Sequence, residues 1–284
     1  MPPELARAKI NLYLHVAAPD ARGWHPLQSL VAFADIGDQV FLTDARGLTI
    51  SGPFGAGLSA GEDNLILKAA RRFEALAGVE LRHGLHLDKS LPLASGIGGG
   101  SADAGASLRL LKAAYAPQIS DALLEDMAKD TGADGVMCLR SQSVFAEGYG
   151  ERLTPVKLPP MPCVLVNPGV ACPTPQVFAE YDALECFDEI EAKQGFADIV
   201  NIDGLVAALK ATRNDLEAPA IRLQPVIADV LAALRAQPQV LLARMSGSGA
   251  TCFALCRDDQ ASGGVAERMR RLRPTAWVRA CRLG

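Results

Sequence analysis

The 284 residues are 49% hydrophobic and 21% charged, the proportions of a globular chain long enough to bury roughly 75% of its unfolded surface. With 28 basic against 32 acidic side chains the formal charge is −4, which argues against a nucleic-acid groove or an anionic membrane surface as the main partner. Any phosphate site must then rely on local cations and backbone amides.

Arg7, Lys9 and Asn11 stand where a secretory signal would need an unbroken apolar core, and no later run has the length of a membrane span. The expectation is a cytoplasmic protein. Seven cysteines is an odd number, and Cys252 with Cys256 is spaced CxxxC, so neither a disulfide framework nor a zinc ribbon is indicated. His15, His25, His83 and His86 show no HExxH spacing.

From Ala8 to Val16 apolar Ile10, Leu12, Leu14 and Val16 alternate with Lys9, Asn11, Tyr13 and His15, which predicts a strand with one apolar and one polar face. Lys9 and Asn11 share the polar one. Strands are expected at 31–43 and 47–51, and a helix at 64–77 carrying Leu67, Ala70 and Leu76. A half-buried strand follows at 85–88, where Leu85 and Leu87 alternate with His86 and Asp88.

The stretch LPLASGIGGGSADAGASLRLL, residues 91–111, joins that strand to a helix through Gly96, Gly98, Gly99 and Gly100. Ala104, Leu108 and Leu111 fall on one side of the helix, with Ser101 or Asp103 in its first turn. Glycines at this density are costly to order unless positive φ or close backbone approach is needed. A phosphate held by unpaired amides at a helix N-terminus supplies that need. There is no Gly-Lys-Ser/Thr ending, so this is not a Walker A loop, and Ser101 replaces the third glycine of GxGxxG.

Ser120 is expected to cap a helix bearing Leu123, Leu124 and Met127, ending near Gly132. Strand character resumes at 135–139 and 143–147. Pro155, Pro159, Pro160 and Pro162 then interrupt any regular ladder, which places a domain boundary between 1–158 and 159–284. Beyond it the pattern predicts strands at 163–167, 240–245 and 251–255 and helices at 204–212 and 220–236, before a last helix and strand. Strands and helices without a regular βαβ rhythm indicate an α+β architecture in both halves.

Three segments in order, AKINLYLHV (8–16), LPLASGIGGGSADAGA (91–106) and SGSGAT (246–251), resemble the three motifs of the GHMP kinases, small-molecule kinases named for galactose, homoserine, mevalonate and phosphomevalonate. The resemblance implies a two-domain fold, its N-terminal domain like domain 2 of ribosomal protein S5 and its C-terminal domain ferredoxin-like. GWHPLQS, EDNLI, GADGV, FAEGYGE and PTPQVF are similar to a branch of the family acting in non-mevalonate isoprenoid synthesis. Its members use ATP and Mg2+ to phosphorylate the tertiary 2-hydroxyl of a cytidine diphosphate conjugate of methylerythritol. A monomer or weak homodimer is expected.

Phosphoryl transfer asks a protein mainly for positioning and charge stabilisation. By resemblance Asp134 accepts the proton of the attacking hydroxyl, Lys9 supports its charge and orients the acceptor, and Asn11 hydrogen-bonds the substrate. The plain alternatives are an Asp-Gly turn and a solvated lysine. Trp24 and Phe178 match the positions that stack on the base, His25 the residue at the cytosine edge, and Thr174 a contact to the substrate diphosphate. Singly, Phe178 would be read as core and His25 as surface. Lys89, Ser95, Gly96, Gly98, Gly99, Gly100 and Ser101 form the nucleotide set, with Ser101 able to reach phosphate or metal.

Trp24 stands where the family commonly has Tyr, Ala102 where it has Ser, and Val136 where it has Pro. Three other readings remain open on the residues alone: a kinase for homoserine, mevalonate or a sugar, a non-catalytic nucleotide-binding protein, and, more distantly, a dinucleotide oxidoreductase.

Overall fold

The computed structural model describes residues 1–185, 187, 190, 196 and 199–284. The chain divides into two compact units: Met1–Lys9, Ile36–Leu93 and Gly98–Gln142 form the first, and Ile10–Asp35, Ala94–Ile97 and Ser143–Gly284 the second. Both are discontinuous in sequence.

In chain order the elements are β1 (Glu4–Val16), β2 (Leu27–Thr43), β3 (Leu48–Ser51), α1 (Leu65–Ala77), β4 (Gly84–Asp88), α2 (Gly99–Tyr115), α3 (Asp121–Lys129), α4 (Gly135–Arg140), β5 (Val144–Gly148) and β6 (Arg152–Pro155). They continue with β7 (Met161–Asn167), α5 (Thr174–Leu184), α6 (Ile202–Lys210), α7 (Glu217–Leu223), α8 (Val226–Arg235), β8 (Val240–Met245), β9 (Cys252–Cys256), α9 (Asp259–Leu272) and β10 (Trp277–Leu283). Among the described residues no helix is long and apolar enough to cross a membrane.

In the first unit β4 pairs antiparallel with the end of β2, Gln39 opposite Asp88 and Thr43 opposite Gly84, and parallel with β3. Asn64 caps α1 by accepting the Ile66 amide, 2.9 Å, and the helix buries Ile66, Ala69, Ala70 and Phe73, the i, i+3, i+4, i+7 stripe of a core-facing helix. Helix α2 packs against α1 and α4. A Cβ on Gly105 would lie 2.8 Å from the Leu139 amide nitrogen, so α2 and α4 touch backbone to backbone.

The second unit contains the antiparallel order β10-β7-β9-β8. The first half of β2 pairs with β5, which pairs with β6, while Leu283 of β10 lies opposite Ala34. Val164 and Val166 of β7 and Cys252 and Ala254 of β9 share a core with Val177 and Tyr181 of α5, Val230 and Leu234 of α8, and Val265 and Met269 of α9.

Four sequence expectations are corrected. Residues 135–139 form α4 rather than a strand, because a short apolar run carries no decisive period and here it follows Asp134 at the helix N-cap position. The helix expected over 220–236 is two, α7 and α8, with the break at Gln224-Pro225, where proline lacks the N–H that a continuous helix needs. Helix α2 starts at Gly99, inside the glycine run. Helix α3, capped by Ser120 as expected, ends at Lys129, ahead of Gly132. Six cysteines are free and buried, as their spacing indicates; Cys186 lies outside the described residues.

Candidate active site

The polar face of β1 is buried. Lys9 and Asn11 are 6% and 5% exposed, so Lys9 is not a solvated lysine. Its ammonium stands 3.1 Å from Asp134 Oδ2, and the Asp134 side chain keeps about a third of its surface accessible at 35%. Asp134 occupies the N-cap position of α4 yet makes no side-chain capping bond. The carboxylate is thereby left to Lys9 and to whatever approaches from solvent.

Helix α2 begins against this pair. Gly98, at its N-cap, has φ 67°, and an added Cβ would meet Lys9 Cβ at 3.2 Å and Cε at 3.3 Å. A side chain there would be strained by the positive φ and would crowd the lysine packed against it. The first helical bond runs from the Ala102 amide to Gly98 O, 2.9 Å, so the amides of Gly99, Gly100 and Ser101 precede the intrahelical ladder. They open a helix of 17 residues with no acidic side chain in its first turn. This is a positive dipole end with free donors.

Below it lies a buried charge cluster. Lys89, 1% exposed, donates to Asp38 Oδ2 at 2.5 Å and Asp103 Oδ2 at 2.8 Å. Asp38 Oδ1 accepts the Ser90 and Leu91 amides at 2.6 and 2.8 Å, and a Cβ on Gly99 would come within 3.0 Å of the ammonium. Lys89 thus ties the exit of β4 to the first turns of α2, and two carboxylates, rather than open space, face its ammonium. Burial pushes the Asp103 carboxyl up to about 8, against the pull of Lys89 and with Asp38 adding to the rise. Among the described residues its buried Oδ1 has no hydrogen-bond partner.

The second unit carries the remaining candidates. The Asn11 amide donates to Ser246 Oγ, 3.1 Å, and its side-chain Nδ2 to Ser29 Oγ, 2.8 Å. Ser246 Oγ donates to Gly96 O, 3.1 Å, and the Thr251 amide donates to Ser95 O, 3.1 Å. A Cβ on Gly96 would stand 2.4 Å from Ser246 O. The SGSGAT segment is therefore laced to residues 95 and 96 by backbone and hydroxyl contacts. Thr174, exposed at the start of α5, shares a 2.8 Å hydrogen bond with Ser248.

Trp24 is 60% exposed, whereas the His25 ring is tucked in, its centroid 5.1 Å from that of Phe178. Both His25 ring nitrogens have oxygen neighbours, Nδ1 at 2.8 Å from Ala17 O and Nε2 at 3.1 Å from Asp182 Oδ1. The ring is thus held in place beside Phe178 by a backbone carbonyl and a carboxylate.

Sequence reasoning missed Asp38, Asp103, Ser29 and Asp182. Asp103 was visible only as a candidate for the first turn of α2, which in the structure holds no acidic side chain, and no local pattern marks the others as partners.

The donor set suits a polyphosphate: helix-start amides that precede the helical ladder, glycines at 96 and 98 with positive φ, and the Lys9 cation. Among the described residues no group of three or more His, Cys, Asp or Glu side chains could cage a metal ion. The Ser101 hydroxyl, in the first turn of α2, is an oxygen that could help to hold a divalent cation.

Comparison with known proteins agrees with the geometry. Residues 64–142 match the GHMP kinases N terminal domain and residues 198–274 the GHMP kinases C terminal family. The chain is 50% identical over 283 residues to a 4-diphosphocytidyl-2-C-methyl-D-erythritol kinase of Caulobacter vibrioides, covering 98% of each. A solved 4-(cytidine 5'-diphospho)-2C-methyl-D-erythritol kinase superposes with TM-score 0.79 at 32% identity, covering 100% of this chain and 99% of the other. A homoserine kinase from Cytophaga hutchinsonii shares the fold, with TM-score 0.65 at 22% identity over 97% and 94% of the two chains. The chain belongs to the GHMP kinases, and within them to the 4-diphosphocytidyl-2-C-methyl-D-erythritol kinase group.

Proposed function

We propose that the chain transfers the γ-phosphoryl group of ATP to the tertiary 2-hydroxyl of 4-diphosphocytidyl-2-C-methyl-D-erythritol, in the non-mevalonate route to isoprenoid precursors. The observation that carries this reading is the Lys9–Asp134 pair, 3.1 Å apart and packed against Gly98 at the start of α2. A phosphate cradle and a carboxylate able to take a proton meet there.

Asp134 accepts the hydroxyl proton as the substrate oxygen forms its bond to the γ-phosphorus and the bond to the ADP oxygen breaks. Lys9 orients Asp134 and adds positive charge where the transferred group becomes more crowded with negative oxygens. The amides of Gly99, Gly100 and Ser101 hold the phosphates. Mg2+, when bound, would neutralise phosphate charge, and the Ser101 hydroxyl would help to hold it. Lys89 acts from beneath, through the Asp38 and Asp103 carboxylates, as a strut for the loop. Asn11 and Thr174 contact the acceptor, Trp24 and Phe178 stack on its base, and His25 meets the base edge. The two family domains are read as 1–158 and 159–284.

A coupled assay of ADP release tests the acceptor. Turnover with the cytidine diphosphate substrate, and none with homoserine or mevalonate at the same concentration, is expected. Turnover with homoserine or mevalonate alone would replace the proposed acceptor, and no ADP release with any of them would overturn the kinase reading.

A further inference from the structure

An exposed indole on a turn has little to hold it in one orientation, yet the turn that carries Trp24 is densely tied. Asp20 Oδ1 accepts the backbone amides of Arg22 and Trp24 at 2.9 and 3.0 Å. Its Oδ2 accepts the Arg22 guanidinium at 3.0 and 2.8 Å and the Tyr149 hydroxyl at 2.8 Å. The Asp20 amide donates back to Trp24 O, 2.8 Å, and the Ala17 amide to Pro26 O, 2.8 Å. The Arg22 guanidinium lies 5.2 Å from the Tyr149 ring centroid, and the Tyr149 ring meets Trp24 edge to face with centroids 6.4 Å apart at 78°. The Trp24 amide and then the Arg22 guanidinium hold the Asp20 carboxyl well below the usual carboxylate range, which keeps it an acceptor for all of these donors.

We propose that Asp20, through Arg22 and Tyr149, is the positioning residue that presents the Trp24 ring for stacking and so sets the affinity for the cytidine end of the acceptor. The inference rests on the reading of Trp24 as a base-stacking residue. A ring already fixed on its backbone and against Tyr149 loses less freedom on binding than a loose one, and that difference appears as affinity. Asp20 touches no reacting group, so its loss should leave chemistry at saturation intact.

The chain has two tryptophans, and a Trp277→Phe background leaves fluorescence from Trp24 alone. Titration with CDP should quench it. In that background Asp20→Ala should weaken CDP binding and raise the acceptor KM by about 10-fold each, with kcat and the KM for ATP kept. Asp20→Asn, which retains Oδ1 for the two amides, should fall between Asp20→Ala and the parent. Melting temperatures within a degree or two of the parent would show that only the turn was loosened. Equal CDP affinity in the parent and Asp20→Ala would overturn the positioning role while leaving the stacking reading standing. If the parent itself shows no CDP-dependent quenching, the stacking reading fails, and this inference with it.

Discussion

The loop at Gly98 and the turn at Trp24 are both short, polar and irregular, but they are held in opposite ways. Around Gly98 the constraint comes from below and is charged: an ammonium between two carboxylates, all three side chains 4% exposed or less, braces a backbone that has no side chains of its own. Around Trp24 the constraint comes from the side and is wet, with Arg22 65% exposed in its ion pair to Asp20. A buried pair is strongly destabilised by losing one partner; an exposed pair contributes little to stability but can still fix a geometry. The first region should therefore fail by unfolding or by losing turnover, and the second by losing affinity.

Removing the proposed base breaks this comparison at its chemical end. Asp134→Asn keeps the shape and a partner for Lys9, yet cannot take up the hydroxyl proton; kcat should fall by about 10² or more while ATP binding persists. Steady-state kinetics paired with a nucleotide-binding titration measures both. Unchanged turnover would remove Asp134 from the mechanism.

The brace itself is tested by Lys89→Met, a substitution of similar length that leaves Asp38 and Asp103 buried without their cation. The expected cost is about 3–5 kcal/mol of folding free energy, read as a lower denaturant midpoint. A loss below 1 kcal/mol would mean that the cluster is already neutral without Lys89. On the other side of the comparison, Trp24→Ala should leave the denaturant midpoint close to wild type and weaken the acceptor by roughly 1–3 kcal/mol, the worth of one stacked base. That loss should appear in the acceptor KM alone.

How far these regions could be read in the sequence follows from the range of the contacts that make them. The glycine run, the strand before it and the apolar stripe of α2 are local, and they located the loop. Lys9 and Asp134 are 125 positions apart, and only the family motifs joined them. Asp38 meets Lys89 across 51 positions and Tyr149 meets Asp20 across 129. Nothing periodic records such pairings. The same limit explains α4: its apolar run 136–139 fits either helix or strand, and what decides it is packing on Gly105, a distant residue whose missing side chain admits the α4 backbone.

A pH series also separates the two regions. A cluster of two carboxylates and one ammonium carries a surplus negative charge in a buried place, and one carboxyl keeps a proton to remove it. Asp103, pushed up to about 8 chiefly by burial, with Asp38 adding to the rise, is that group. The unfolded carboxyl titrates near 3.9. Between about pH 4 and about pH 8 the folded state therefore holds a proton that the unfolded state has released. The derivative of unfolding free energy with pH is negative in that window, so stability falls as pH rises. Asp103→Asn, neutral at every pH, has no such term. The melting temperature of Asp103→Asn relative to wild type should climb steadily from pH 5 to pH 8 and then level off. Asp20→Asn should behave differently: its carboxyl is ionised throughout that range, so its difference from wild type should not vary with pH. A flat difference for Asp103→Asn as well would mean that Lys89 holds both carboxylates ionised, and the loop would then stand on a net negative charge that the phosphate-binding amides must overcome.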